Sequence, residues 1–212
     1  MAYLTDIKAA VAKLDRLECA AVAVACVETV SPVIAHLAQP ATRRVFDLGL
    51  DAMWTSVREG VVDPRVASVR KTVENLPESD CDDSNVPTYD VMVALGVLAH
   101  ALDTIIEDSG LAAISACTLA ANYYGSYDVV LYEGSTRTRV IDPRNPPPVG
   151  PLKSRQVVLQ LELAEEAKSL PRSRAEVVQR IRASATGLAF ELEQSLLVYI
   201  ERRFGASPPR IS

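Results

Sequence analysis

The segment from residue 88 to residue 132 reads TYDVMVALGVLAHALDTIIEDSGLAAISACTLAANYYGSYDVVLY, and it decides the fold class of this chain. Its apolar residues recur at the spacing of helix faces, and they cover most sides of each helix. Thr88 and Ser109 are residue types that cap helices. We therefore expect one helix from Thr88 to Ile106 and a second from Leu111 to about Tyr132, which together form a central hairpin.

Helix signals continue on both sides of this hairpin. Thr5 or Asp6 can cap a helix that ends near Leu14, and Asp15 can cap a second helix that Pro32 bends or restarts. The same kinds of signal predict further helices from Pro40 to Gly60, from Pro64 to Leu76, from Leu152 to Leu170, and from Ser173 to about Phe204 with Ser173 and Glu176 as a capping box. The pattern predicts an all-α bundle of about seven or eight helices.

Two regions interrupt this helical pattern. Residues 133–151 are rich in Pro and Arg and are expected to form a loop excursion, and residues 206–212 are expected to form a flexible tail. Faint alternation of apolar and polar residues leaves open a short β-hairpin near residues 127–141. We expect residues 1–205 to form a single helical domain, since the chain length suits one sizeable core.

Composition excludes several classes of function. The chain of 212 residues carries a net charge of −5, which disfavours binding to nucleic acid or to an anionic membrane surface. The run from Ala20 to Val27 is shorter than the roughly 20 residues that a membrane span needs, and the charged amino terminus is unlike a secretory signal. Its four scattered cysteines fit a reducing compartment. We therefore expect a cytoplasmic protein.

The sequence offers few groups for catalysis. His36 and His100 are its two histidines, and only His100 has a nearby acid, Asp103, that could orient it as a base. A histidine on an apolar face is also an ordinary boundary residue. The chain has no Glu-x-x-His motif for a di-metal centre and no glycine-rich phosphate loop. We expect a protein that is not an enzyme and has no metal or cofactor, with a role for His100 and Asp103 as the minority hypothesis.

An acidic connector joins two of the predicted helices. The stretch from residue 74 to residue 90 contains no Lys or Arg. A segment of one charge sign is either a solvated spacer or a docking surface for a basic partner. Its six acidic residues are Glu74, Glu78, Asp80, Asp82, Asp83 and Asp90, and all except Glu74 are candidate partner-binding residues.

Two other groups of residues could serve recognition. Tyr123, Tyr124, Tyr127 and Tyr132 cluster near the end of a helix, where tyrosines either pack against the core or offer rigid contact area to a partner. Arginines beside the proline-rich loop could bind carboxylates, including the acidic connector of a second copy, or could simply keep the loop soluble. These arginines are Arg137, Arg139, Arg144 and Arg155.

The order of these segments resembles the bacterial YjaG-type family of all-helical proteins of unknown function. The likeness covers about residues 15–132, through KLDRLECAAVAVACVETVSPVIAHL, RRVFDLGLDAMW, the acidic connector and TYDVMVALGVLAHALD. The matching positions are Leu17, Ala23, Ala25, Glu28, Pro32, Arg43, Arg44, Asp47, Trp54, Asp80 to Asp90, Ala94, Leu98 and Leu102. The resemblance implies an all-helical fold similar to helical immunity proteins that neutralise bacterial toxins, and it brings no catalytic residue with it.

Two functions by binding follow from these patterns. The preferred hypothesis is an immunity-type protein that masks the active site of a toxin, with the acidic connector attracting a basic toxin domain. The alternative is a self-associating helical scaffold, in which an apolar helix face pairs across a twofold axis to form a homodimer.

Overall fold

The computed structural model describes residues 2–83, 86–132 and 149–205, and these residues form eight α-helices and no strand. This confirms the predicted all-α bundle of seven or eight helices. The helices are α1 (Ala2–Val11), α2 (Arg16–Leu37), α3 (Pro40–Glu59), α4 (Arg65–Glu74), α5 (Pro87–Glu107), α6 (Gly110–Tyr132), α7 (Pro151–Ala167) and α8 (Arg174–Phe204), and a single 3₁₀ turn (Pro77–Ser79) lies between α4 and α5.

Helix α2 is the centre of the bundle. It contacts α3, α5, α6, α7 and α8, and nearly every side chain from Cys19 to Ile34 is buried. Its many alanines and valines let neighbouring helices approach on all sides. The predicted hairpin of α5 and α6 does form, but it packs beside α2 rather than at the centre. Buried apolar residues from all eight helices join in one hydrophobic cluster.

The start of α2 follows the sequence prediction, and the helix does not restart at Pro32. The Asp15 carboxylate accepts a hydrogen bond from the Glu18 backbone N–H at 2.9 Å, and the Glu18 carboxylate accepts one from the Asp15 N–H at 2.8 Å, forming a capping box. Pro32 was expected to bend or restart the helix, yet α2 continues to Leu37. Packing against five neighbours outweighs the cost of about 3 kcal/mol for a proline inside a helix.

At three other helices the predicted cap does not form. Helix α1 already includes Thr5 and Asp6. Helix α5 begins at Pro87, one residue before Thr88, because proline has no N–H that needs a partner in the first turn. Ser173 occupies the cap position of α8 but caps no backbone N–H. Its hydroxyl donates instead to the Glu176 carboxylate at 2.7 Å, so no capping box forms.

The β-hairpin considered near residues 127–141 does not begin as expected. Residues 127–132 form the last turns of α6. The stretch that would supply the second strand lies outside the described residues, as do most of the predicted loop excursion and the whole of the predicted tail. Within that excursion, Pro151 is the first residue of α7.

Two helices are long and apolar enough to cross a membrane by length and composition. They are α2 and α5, and in the most apolar part of each 83% and 56% of the residues are buried inside the protein. Core helices of soluble proteins have the same length and hydropathy, so this finding does not assign the chain to a membrane.

An aspartate near the end of α6 caps the beginning of α7. The Asp128 carboxylate accepts hydrogen bonds from the backbone N–H groups of Leu152 and Lys153, both at 3.0 Å. Gly150 permits this approach, because a Cβ atom there would lie 2.2 Å from Asp128 Cγ. Asp128 therefore provides the cap that no residue next to α7 supplies.

We expect Asp128→Ala to lower the free energy of unfolding by about 1–2 kcal/mol, the usual cost of losing a helix cap. Asp128→Asn keeps one carbonyl acceptor at the same place and should cost less. Urea denaturation followed by circular dichroism would measure both variants. Equal stability of Asp128→Ala and the unmodified protein would show that the cap contributes nothing.

Candidate functional site

The acidic connector does not form one exposed surface. Glu78 is 2% exposed, and its carboxylate accepts hydrogen bonds from the Gln39 backbone N–H at 3.0 Å and from the Thr42 hydroxyl. Gln39 is the cap residue of α3 and has no side-chain cap of its own. Glu78 therefore holds the connector against the beginning of α3. As a partner-binding residue it was predicted wrongly, because its carboxylate is buried and already satisfied.

Three aspartates after Glu78 do lie at the surface. Asp80, Asp82 and Asp83 are all exposed, and we call these three residues the acidic surface. Neither Asp80 nor Asp82 forms an ion pair or hydrogen bond with any residue that the structure describes. Glu74, four residues after Arg70 on α4, pairs with that arginine at 2.8 Å. Of the five candidate partner-binding residues in the connector, these three are the ones that a partner can reach.

Three of the four tyrosines of the predicted surface were placed wrongly, because they lie inside the bundle, whereas Tyr132 at the end of α6 is 64% exposed. Tyr123, Tyr124 and Tyr127 are 4%, 2% and 0% exposed. The Tyr127 ring lies edge-on to Tyr123 at 4.7 Å between centroids and is stacked on Tyr199 of α8 at 4.0 Å. The Tyr124 hydroxyl donates to the Thr29 carbonyl at 2.5 Å. Burial raises the pKa of all three phenols, so they stay protonated.

Asp90, the last residue of the predicted docking surface, is also buried, at 1% exposed. Its Oδ1 accepts a hydrogen bond from the Tyr199 hydroxyl at 3.1 Å, and its Oδ2 has no hydrogen-bond partner among the described residues. Burial raises the pKa of Asp90 to about 6, although Arg203 and the hydroxyls of Tyr199 and Tyr123 act against this rise. The prediction that Asp90 binds a partner is wrong, since it cannot be reached from solvent.

Together these groups form a polar cluster between α5, α6 and α8. Arg203 covers it near the end of α8, where its Nη1 donates to the Tyr199 hydroxyl and its guanidinium lies 5.4 Å from the centre of the Tyr199 ring. Asp90 can gain or lose a proton near neutral pH, and the tyrosines cannot. Tyr199 and Arg203 were missed by the sequence prediction. The spacing of four residues between them on one helix face was the only signal that could have linked them.

The structure does not join His100 and Asp103 into a catalytic pair. The Asp103 carboxylate accepts two hydrogen bonds from Arg70, at 2.6 Å and 3.2 Å. No hydrogen bond links the carboxylate to His100 among the described residues. His36 instead contacts Glu193 of α8 at 2.6 Å, on the surface. Over the described ranges, no group of three His, Cys, Asp or Glu residues is arranged to hold a metal ion.

Of the predicted arginine group, Arg155 lies among the described residues. Arg137, Arg139 and Arg144 lie outside the described residues. Arg155 is on the surface of α7 and pairs with Glu191 of α8, so it links two helices of the same chain.

Comparison with known proteins finds a likeness in structure. No protein-family model matches the sequence, and no curated protein is significantly similar to it. A crystal structure of a DUF416 family protein from Shewanella baltica OS155 superimposes with a TM-score of 0.63 and 16% sequence identity, over 87% of this chain and 93% of that chain. At this identity the likeness shows the fold alone. The chain therefore shares the fold of a bacterial DUF416 family protein.

Proposed function

We propose that this protein is not an enzyme and acts by binding a basic protein through the acidic surface. The observation that carries the proposal is the contrast inside the connector. Glu78 is buried and hydrogen-bonded to α3, whereas Asp80, Asp82 and Asp83 are exposed within five residues of it. A charged loop attached at one end to the core presents its charges with less freedom than a solvated spacer would.

The cellular role that fits such a surface best is that of an immunity-type protein. A basic toxin domain, such as a nuclease, has an active site that attracts negative charge, and a rigid acidic protein can cover that site. Opposite charges raise association rates by roughly tenfold to a thousandfold, and salt weakens the effect. The proposed binding is therefore fast at low ionic strength and slower in salt.

The test is to replace Asp80, Asp82 and Asp83 by Asn together. We expect association with a basic partner, such as a toxin domain encoded beside this gene, to slow by roughly tenfold at low salt and by less in high salt. Stopped-flow fluorescence would measure the rate constants.

A matched control changes the net charge equally but elsewhere. Asp6, Asp47 and Glu107 are exposed acidic residues outside the connector. Their replacement by Asn, Asn and Gln should change the association rate much less than the connector variant does. Equal rates for the two triple variants would show that only net charge matters, and the acidic surface would lose its assigned role.

We also propose that the chain belongs with the YjaG-type proteins that its sequence resembles, and that it works in the cytoplasm. The shared fold of the DUF416 family protein supports kinship with bacterial helical proteins of this kind. The cysteines Cys19, Cys26, Cys81 and Cys117 are free thiols, as in proteins of a reducing compartment.

A further inference from the structure

The outer face of α8 carries an exposed stripe without charged residues. Every fourth or third residue along this face is uncharged and exposed over four turns, and Phe190 and Leu197 are 68% and 41% exposed. We call these residues the α8 stripe: Ala183, Gly187, Phe190, Gln194 and Leu197. Intervals of four and three residues are the spacing with which one helix packs along another. No helix of the described chain covers this face.

A position without a side chain and a protruding side chain lie next to each other on the stripe. A Cβ atom placed on Gly187 would meet no atom within 4 Å, so the surface is open there. Beside Gly187, a groove of about 370 Å³ runs between α7 and α8. Its lining is mixed: Val158, Leu159 and Leu188 are apolar, and Ser154, Arg155, Glu162, Ser184 and Glu191 are polar or charged. Phe190 stands one turn further along α8. A face with both features is complementary to a second copy of itself.

We propose that this face binds a second copy of the chain, with the two α8 helices antiparallel across a twofold axis. Phe190 of each subunit enters the groove beside Gly187 of the partner subunit. A twofold interface requires that the same patch supply both halves of each contact, which the neighbouring phenylalanine and glycine do. Burial of the exposed phenylalanine against the groove's apolar residues Val158, Leu159 and Leu188 supplies the main driving force.

Charges at the ends of the stripe determine the direction of the partner helix. Arg180 precedes the stripe and Glu201 follows it. Arg180 is 55% exposed although it also contacts Glu166 at 2.6 Å, so it has room for a further partner. Antiparallel helices centred between Gly187 and Phe190 place Arg180 about one turn from Glu201 of the partner subunit. Parallel helices would place like charges side by side, which is unfavourable.

The dimer is expected to be weak. One pair of helices with part of a groove is a small interface, and we expect a dissociation constant in the micromolar range. The α8 stripe shares no residue with the acidic surface. The dimer and the proposed toxin-binding function can therefore be tested separately.

Sedimentation velocity of the full chain over a range of concentrations tests the interface. Phe190→Glu and Gly187→Leu should each raise the dimer dissociation constant at least tenfold. The first removes the inserted ring, and the second places a side chain where the ring of the partner subunit would enter the groove. Both positions are exposed, and leucine favours helix more than glycine does, so the monomer keeps its fold. Leu111→Glu is the control: Leu111 is 77% exposed on α6, and its change should leave the dissociation constant unaltered.

Charge exchange tests the antiparallel arrangement. Arg180→Glu and Glu201→Arg should each weaken the dimer. The double variant should restore it, because the new carboxylate at position 180 again faces a positive charge at position 201 of the partner subunit. A monomer at all concentrations, or equal dimerisation of Phe190→Glu and Leu111→Glu, would overturn the proposal. A double variant as weak as the single ones would overturn the antiparallel arrangement.

Discussion

The Glu78→Ala variant is expected to unfold with a free energy about 3 kcal/mol below that of the unmodified protein. The substitution leaves the Gln39 N–H and the Thr42 hydroxyl without their acceptor, and the Thr42 and Glu78 side chains are buried. Hydrogen bonds to a charged group contribute about 1.5–3 kcal/mol each, and a helix cap about 1 kcal/mol. Removing the carboxylate also relieves the cost of burying it, so the net loss is smaller than the sum. Chemical denaturation would measure the change.

A double-mutant cycle separates the hydrogen bond from other effects of the alanine. Thr42→Val removes the hydroxyl with little change of shape, and Thr42 is itself 1% exposed. If the contact between Thr42 and Glu78 stabilises the fold, the decrease in the free energy of unfolding of the double variant should be smaller than the sum of the two single decreases. The difference should be at least about 1 kcal/mol. Strict additivity would mean that Glu78 acts on stability through the α3 backbone alone.

The Glu78→Gln variant shows what the negative charge adds. Glutamine keeps a carbonyl acceptor for one of the two hydrogen bonds but lacks the charge that favours the beginning of a helix. The free energy of unfolding should therefore fall by less in this variant than in Glu78→Ala. If glutamine is as costly as alanine, the charge rather than the hydrogen bonds holds the connector to α3.

The helices were predictable because their signals are local. Asp15 caps α2 as expected, and Gly60 ends α3 in the left-handed conformation that favours glycine. Apolar spacing placed all eight helices within a few residues of their observed limits. Local signals fail where packing competes with them, as at Pro32, which the surrounding helices keep inside α2.

The site residues were not predictable because their partners are far away in sequence. Glu78 and Asp90 read as surface charges in an acidic stretch, yet their partners Thr42 and Tyr199 are 36 and 109 residues distant. The tyrosines lie on α6, which is apolar on most sides, so no periodic pattern indicates which side faces solvent. Only Asp80, Asp82 and Asp83, in the segment without regular structure, lie where the sequence suggested.

Asp90→Asn is expected to stabilise the protein at pH 7.5 by up to about 3 kcal/mol. Burial raises the pKa of Asp90 from 3.8 to about 6, so at neutral pH the folded protein contains a buried charge that the unfolded chain would keep in water. A shift of one pKa unit corresponds to about 1.4 kcal/mol. Asparagine keeps a carbonyl oxygen for the Tyr199 hydroxyl and carries no charge. The substitution also removes the attraction between Asp90 and Arg203. This attraction is weaker than the cost of burying the Asp90 charge, since the pKa of Asp90 is raised overall.

The pH dependence distinguishes this cause from a general effect of the substitution. Because the pKa of Asp90 is higher in the folded state, the folded protein binds more protons than the unfolded chain between about pH 4 and about pH 6. The contribution of Asp90 to stability therefore grows as the pH falls through 6 and is lost as the pH rises. The advantage of Asp90→Asn should be greatest above pH 7 and should nearly vanish near pH 4. Other carboxylates affect both proteins alike, as Asp63 does with its pKa lowered by Arg65, so the difference between the two unfolding curves isolates Asp90. A constant difference from pH 4 to pH 8 would contradict a buried, titrating Asp90.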